Sequence, residues 1–127
     1  RPDLMVGQVN WTADSRELPN FVNIIRNQMP GGNNWVGVRL HEHGPGKSPA
    51  GATVKVLYDG HSAVRHVVTG DSWRAQHSGQ KHFGLGKAKA VEVIEVRWPN
   101  GQVSRLKKPA INQYHTIAPP KGEAAKP

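Results

Sequence analysis

From residue 92 to residue 98 the side chains alternate in a way that only an extended chain can exploit. Glu92, Ile94, Val96 and Trp98 fall on one side and Val93, Glu95 and Arg97 on the other, the period-two pattern of a strand with one buried face. Pro99, Asn100 and Gly101 interrupt it. Asn and Gly both tolerate positive φ, so the spacing predicts a reversal that pairs residues 102–106 against the strand just completed. The same logic recurs upstream. Ala52, Val54, Val56 and Tyr58 alternate, Asp59-Gly60 supplies a second hairpin turn, and residues 64–69 are expected as the returning strand. Residues 35–41 place Val36, Val38 and Leu40 on one face, and residues 113–117 read as the last strand.

Helical periodicity is missing throughout. Only residues 15–18 and 86–91 fit a single turn, too short to stand without tertiary support. Many short strands with turn signals between them and no helical crossovers predict an all-β fold. It is expected as an antiparallel β-sandwich or small barrel of about seven strands. Two apolar runs, residues 3–7 and 21–27, precede it and suggest two strands or one hairpin of another element. Pro30-Gly31-Gly32 then breaks the chain and marks the expected boundary. Residues 119–127, rich in Pro, Lys and Ala, have nothing to bury and are expected as a flexible tail.

The 127 residues suffice for one core without covalent help. With no cysteine, disulfide scaffolds, thiolate metal sites, cysteine nucleophiles and thioether-linked haem are excluded. No apolar run approaches the ~20 residues of a membrane-spanning helix, and the first residues lack a signal-peptide core. No membrane insertion is expected. The chain begins with Arg1, which reads as a processed product or a piece of a longer polypeptide. Lys and Arg number 17 against 9 Asp and Glu, a net charge of +8. These charges are scattered singly through the strands, with short clusters only at Lys81 to Lys89 and at Lys107 and Lys108, and fit no nucleic-acid-binding motif, so a solvated surface or an acidic partner is expected rather than nucleic acid.

Five motifs in order, Asn33 to Leu40 (NNWVGVRL), Ala50 to Val56 (AGATVKV), His82 to Gly86 (HFGLG), Ile94 to Gly101 (IEVRWPNG) and Asn112 to Ile117 (NQYHTI), resemble the ASPIC/UnbV domain. The resemblance covers residues 33–118. It implies a β-sandwich at the C-terminal end of extracellular or periplasmic proteins built from FG-GAP (VCBS-type) β-propeller repeats, as in cartilage acidic protein-like chains. On that reading residues 1–32 are the remnant of a last propeller blade or a linker, and the propeller is a partner within the same or a parent polypeptide. The loop at Gly46 to Pro49 and the pair Ala75-Gln76 depart from the family pattern. An Asp/Asn-rich calcium loop is missing, so no calcium or other cofactor is expected.

Several side chains are candidates for chemistry. His41 and His43 stand two apart, so on one strand both face the same way and suit zinc or copper, although no third ligand is evident. The alternative is an exposed strand end running into a loop. Trp73, with Arg74, Gln76 and His77, sets a flat aromatic among hydrogen-bonding groups, which suits a sugar or a protein partner; otherwise Trp73 folds back as a lid on the sandwich. Trp35 and Trp98 read as packing residues. Gly84-Leu85-Gly86 lacks the third glycine and the crossover of a dinucleotide site and reads as tight turning. Glu92 and Glu95 fall on opposite faces and make no acid–base pair, and the segment around Ser72 has no nucleophile elbow. Asn10-Trp11-Thr12 fits a glycosylation sequon. The expected function is a non-enzymatic extracellular or periplasmic module that packs on a propeller and presents loops to a glycan or protein. The alternative is a structural subunit that docks through its basic surface and tail.

Overall fold

The alternation at residues 52–58 and 92–98 becomes the centre of a four-stranded sheet in the computed structural model, which describes residues 3–8, 21–28, 30–41, 48–70 and 79–120. The chain divides into two compact units, Arg1–Gly31 and Gly32–Pro127.

In the first unit β1 (Leu4–Gln8) pairs antiparallel with β2 (Phe21–Ile25), in a register running from Leu4 opposite Ile25 to Gln8 opposite Phe21. Directly opposed residues share a face, and faces alternate along a strand. Leu4, Val6, Phe21 and Ile25 therefore lie on one side, with Met5, Val22 and Ile24 on the other. All seven are 38 to 74 % exposed, so this ribbon is apolar on both faces and buries neither. The Asn27 backbone N–H donates to Asp3 Oδ1 at 2.8 Å beside the open end.

Among the described residues the second unit has β3 (Asn34–Leu40), β4 (Thr53–Tyr58), β5 (His61–His66), β6 (Lys81–Gly86), β7 (Val93–Arg97), β8 (Val103–Lys107) and β9 (Tyr114–Ile117). They form one sheet in the order β6-β3-β9 and another in the order β5-β4-β7-β8. Inward side chains of both sheets make one core: Val36 and Val38 of β3, Phe83 and Leu85 of β6 and Ile117 of β9 join Val54, Val56, Ile94 and Val96, with Trp98 at the end. This is the expected all-β sandwich.

The two hairpins solve their turns differently. Asp59 and Gly60 both adopt positive φ, 49° and 71°, so a two-residue turn joins Tyr58 directly to His61. The returning strand therefore spans His61–His66, three residues earlier than the expected 64–69. After Trp98 the loop has three residues. The Gly101 N–H donates to the Trp98 carbonyl at 3.0 Å, and Trp98 N–H donates to Gln102 O at 2.9 Å. Only Gly101 takes positive φ, 83°. Asn100 contributes its side chain instead, its Oδ1 accepting from Gln102 N–H at 3.1 Å.

Two features of the smaller sheet differ from the sequence reading. The segment read as tight turning around Gly84 is a strand, because Phe83 and Leu85 alternate into the core. And β9 pairs with β3 in parallel, with Gly37 opposite Tyr114 and Leu40 opposite Ile117, so the sandwich is not antiparallel throughout. A parallel neighbour must arrive by a crossover, here from the far sheet. A hydrogen-bonded link holds that crossover at its end: the buried Trp98 indole N–H donates to Ser104 Oγ at 2.9 Å, and Ser104 Oγ donates to Ala118 O at 2.8 Å.

Candidate functional site

Since Val36, Val38, Phe83, Leu85 and Ile117 face the core, the pleat turns Trp35, Gly37, Arg39, His82, Gly84, Tyr114 and Thr116 to the opposite side of the three-stranded sheet. Register then sets their neighbours. Gly37 lies opposite His82 on one flank and Tyr114 on the other, with Trp35 and Arg39 two residues away along β3. The rings meet over this strand. Trp35 stacks on His82 with centroids 4.8 Å apart and meets Tyr114 edge-on at 5.2 Å, while His82 and Tyr114 are 6.3 Å apart. The Arg39 guanidinium lies over the Tyr114 ring at 4.7 Å. Tyr114 remains 38 % exposed, with Trp35 and His82 half-buried.

Two residues make this arrangement sterically feasible. A Cβ at Gly37 would overlap the Tyr114 ring, so the bare backbone there lets the ring lie on the strand. Asn112 fixes the strand it lies on. Its N–H donates to Trp35 O at 2.6 Å, and its Oδ1 accepts from Trp35 N–H at 3.1 Å. Its Nδ2 donates to Asn34 Oδ1 at 3.0 Å, and Asn34 Nδ2 donates to Ala88 O at 2.9 Å. Asn112 holds φ at 61°, a conformation Asn tolerates better than most side chains.

Electrostatically the face is one-sided. On this side the three strands present Arg39 and His82 and no Asp or Glu, while Lys81 and His115 fall on the core-side register of β6 and β9. The described carboxylates of this unit are Asp59, Glu92 and Glu95, which lie on or beside the four-stranded sheet. Burial against Trp35 and the sheet holds the His82 pKa below the ordinary histidine value. Beside the Arg39–Thr116 row opens a groove of about 350 Å³ lined by Arg39, Leu40, His41, Pro49, Gly79, Gln80 and Thr116.

The sequence candidates fare differently. His41 follows β3, exposed, its N–H donating to Ile117 O at 3.0 Å. His43 lies outside the described residues, as do Trp73, Arg74, Gln76, His77, the Asn10 sequon and residues 121–127. Among the described residues no three His, Asp or Glu side chains gather as a metal site. Glu92 and Glu95 are engaged separately, Glu92 Oε1 accepting from Gly60 N–H at 3.4 Å and Glu95 pairing with Arg105 at 2.7 Å. Trp98 packs in the core as expected, whereas Trp35, also read as a packing residue, stands in the surface ring cluster. The residues that sequence reasoning passed over are Arg39, His82 and Tyr114. Their signal was present in the alternation: Arg39 falls between Val38 and Leu40, His82 is out of step with Phe83 and Leu85, and Tyr114 is out of step with Ile117.

Three of the five quoted motifs, those at residues 33–40, 82–86 and 112–117, each contribute one ring to this cluster. The sequence profile of the family described as ASPIC and UnbV matches residues 43–124. That segment starts beyond β3, yet β3 supplies Val36 and Val38 to the core, so the folded unit extends upstream of the match. No match is found among curated proteins. With the matched segment covering well over half of its length, the chain belongs to the ASPIC and UnbV family.

Proposed function

We propose that this chain is a non-catalytic interaction module of an extracellular or periplasmic protein, and that it holds its partner, a glycan or a protein, on the outer face of the three-stranded sheet. The observation that carries this reading is the convergence of three separate motifs on one exposed cluster of rings with a guanidinium beside it. Aromatic and Arg side chains grouped on a supporting scaffold are the groups that dominate recognition surfaces. Asn112 and Gly37 have roles that make sense as supports for that cluster. Trp73, Arg74, Gln76 and His77 belong to the proposal as a second recognition element.

Packing on a propeller is the other half of the proposal. A ribbon apolar on both faces reads as part of a sheet covered on both sides, and β1 and β2 have that character. Neighbouring strands of a propeller blade would supply the cover.

The test is a binding screen of immobilised glycans and of secreted proteins from the same source, run with the wild-type chain, Tyr114→Ala and Trp73→Ala. A partner retained by the wild type and lost by Tyr114→Ala, at unchanged melting temperature, is the expected result. A partner lost only by Trp73→Ala moves the binding surface to the Trp73 segment. Turnover of the bound partner refutes the non-catalytic reading, and a cytoplasmic location of the native protein refutes the compartment.

A further inference from the structure

We infer that the ligand of this face is an acidic saccharide, a glycan bearing uronate carboxylates, whose carboxylate meets Arg39 while its sugar ring packs against the exposed part of Tyr114. This rests on the proposed reading of the face as a binding surface.

Charge complementarity selects an anion. On this side the three strands present one cation, Arg39, and no carboxylate, so a negative ligand meets no like charge on them. Arg39 is suited to a planar anion because its guanidinium presents parallel N–H donors that match both oxygens of a carboxylate. Its position over the Tyr114 ring, 4.7 Å from the centroid, puts that fork beside an aromatic surface. The apolar C–H face of a pyranose needs such a surface next to polar contacts.

The topology separates a saccharide from an acidic peptide. Extended peptides gain much of their affinity by adding a strand to an open sheet edge. β3, which underlies the cluster, is the central strand and is paired on both sides, so a peptide adding a strand would run along the outer edge of β6 or β9 and not over Arg39. Recognition on this face must come from side chains. The groove of about 350 Å³ next to Arg39 and Thr116 lies in the size range of small-ligand pockets, and it continues the face with polar groups suited to further hydroxyls of the chain.

The experiment is calorimetric and NMR titration of the full chain with a galacturonate oligomer, the matching neutral galactose oligomer and an oligo-glutamate peptide of equal charge. Arg39 is exposed, so Arg39→Gln is expected to fold, and Tyr114→Phe serves as a ring-retaining control for Tyr114→Ala. The galacturonate oligomer should bind and shift the Trp35, His82 and Tyr114 signals. Arg39→Gln should weaken it about ten- to a hundredfold, the effect of losing a charged hydrogen-bond pair. Tyr114→Ala should also weaken binding, and Tyr114→Phe should retain most of it. Equal binding of the neutral oligomer, or indifference to Arg39→Gln, overturns the acidic assignment while leaving the face as a binding surface. Tighter binding of oligo-glutamate at the same signals overturns the saccharide. If none of the three moves those signals and a partner from the screen binds elsewhere, both the inference and the reading beneath it fall.

Discussion

Replacing Gly37 with alanine tests whether the ring cluster is a single mechanical unit. The added Cβ would overlap the ring atoms of Tyr114, so the ring must swing off the strand. In leaving, it gives up an edge-on contact with Trp35 and the cation–π contact with Arg39, together about 1–2.5 kcal/mol at an exposed site. Against this stands the ordinary benefit of Gly→Ala inside a strand, about 0.5–1 kcal/mol. Gly37→Ala alone should therefore destabilise by up to about 2 kcal/mol. In a Tyr114→Ala background the clash is gone, and the same change should stabilise by about 0.5–1 kcal/mol. Urea unfolding of the four proteins closes the cycle, with midpoints compared at constant m. A coupling energy of about 1 kcal/mol or more is expected, with the sign of the Gly37→Ala effect reversing between backgrounds. If Gly37→Ala has the same effect with and without the tyrosine, the ring does not rest on Gly37 and the geometric argument for the cluster fails.

Further outcomes follow from other contacts. Ser104→Ala removes the acceptor of the Trp98 indole and the donor to Ala118, and should cost about 1–3 kcal/mol; thermal unfolding checks it. Asn112→Gly keeps the positive φ but loses the acceptor for Trp35 N–H, so exchange of the Trp35 amide with deuterium should accelerate. Asn112→Ala, strained as well, should be less stable than Asn112→Gly by about 1 kcal/mol. Because His82 is held below 6.5, the unfolded chain binds its proton more readily than the folded one. Its contribution is fully present above about pH 6.5 and is lost as pH falls through the lower folded value; urea midpoints between pH 7.5 and 5 should fall more for wild type than for His82→Gln.

The four-stranded sheet was legible because its strands are linked by short turns whose chemistry is local. Ala52 to Tyr58, Asp59-Gly60 and Glu92 to Trp98 announce themselves within a few residues, and the structure places them as read, apart from the early start of β5. The three-stranded sheet was harder because its partners are remote. No local pattern in residues 112–117 says that β9 lies parallel to a strand some 77 residues earlier; the pairing is made by backbone bonds to β3 together with the side chain of Asn112 reaching Trp35. The strand β6 was hidden by Gly84 and Gly86, residues that usually signal turns, although Phe83 and Leu85 still alternate. The ring cluster was invisible for the same reason as the sheet. Each ring sits alone in its motif, and only register across β6, β3 and β9 assembles Trp35, His82 and Tyr114.

The pairing of β9 with β3 has a kinetic consequence. Strand pairs with short connections, such as β4 with β5 and β7 with β8, can zip as soon as each hairpin exists, on the microsecond scale of isolated hairpins. The contact between Asn34 and Asn112 spans 78 residues, and contacts of such separation are entropically costly to reach and slow the folding of β-rich domains. On a ribosome every other strand of this unit emerges before β9, leaving β3 paired with β6 on one side and open along its other edge until β9 has emerged. A pause or a stop codon just before Tyr114 would therefore leave an open apolar sheet edge, and aggregation of the nascent chain is the fate such an edge invites.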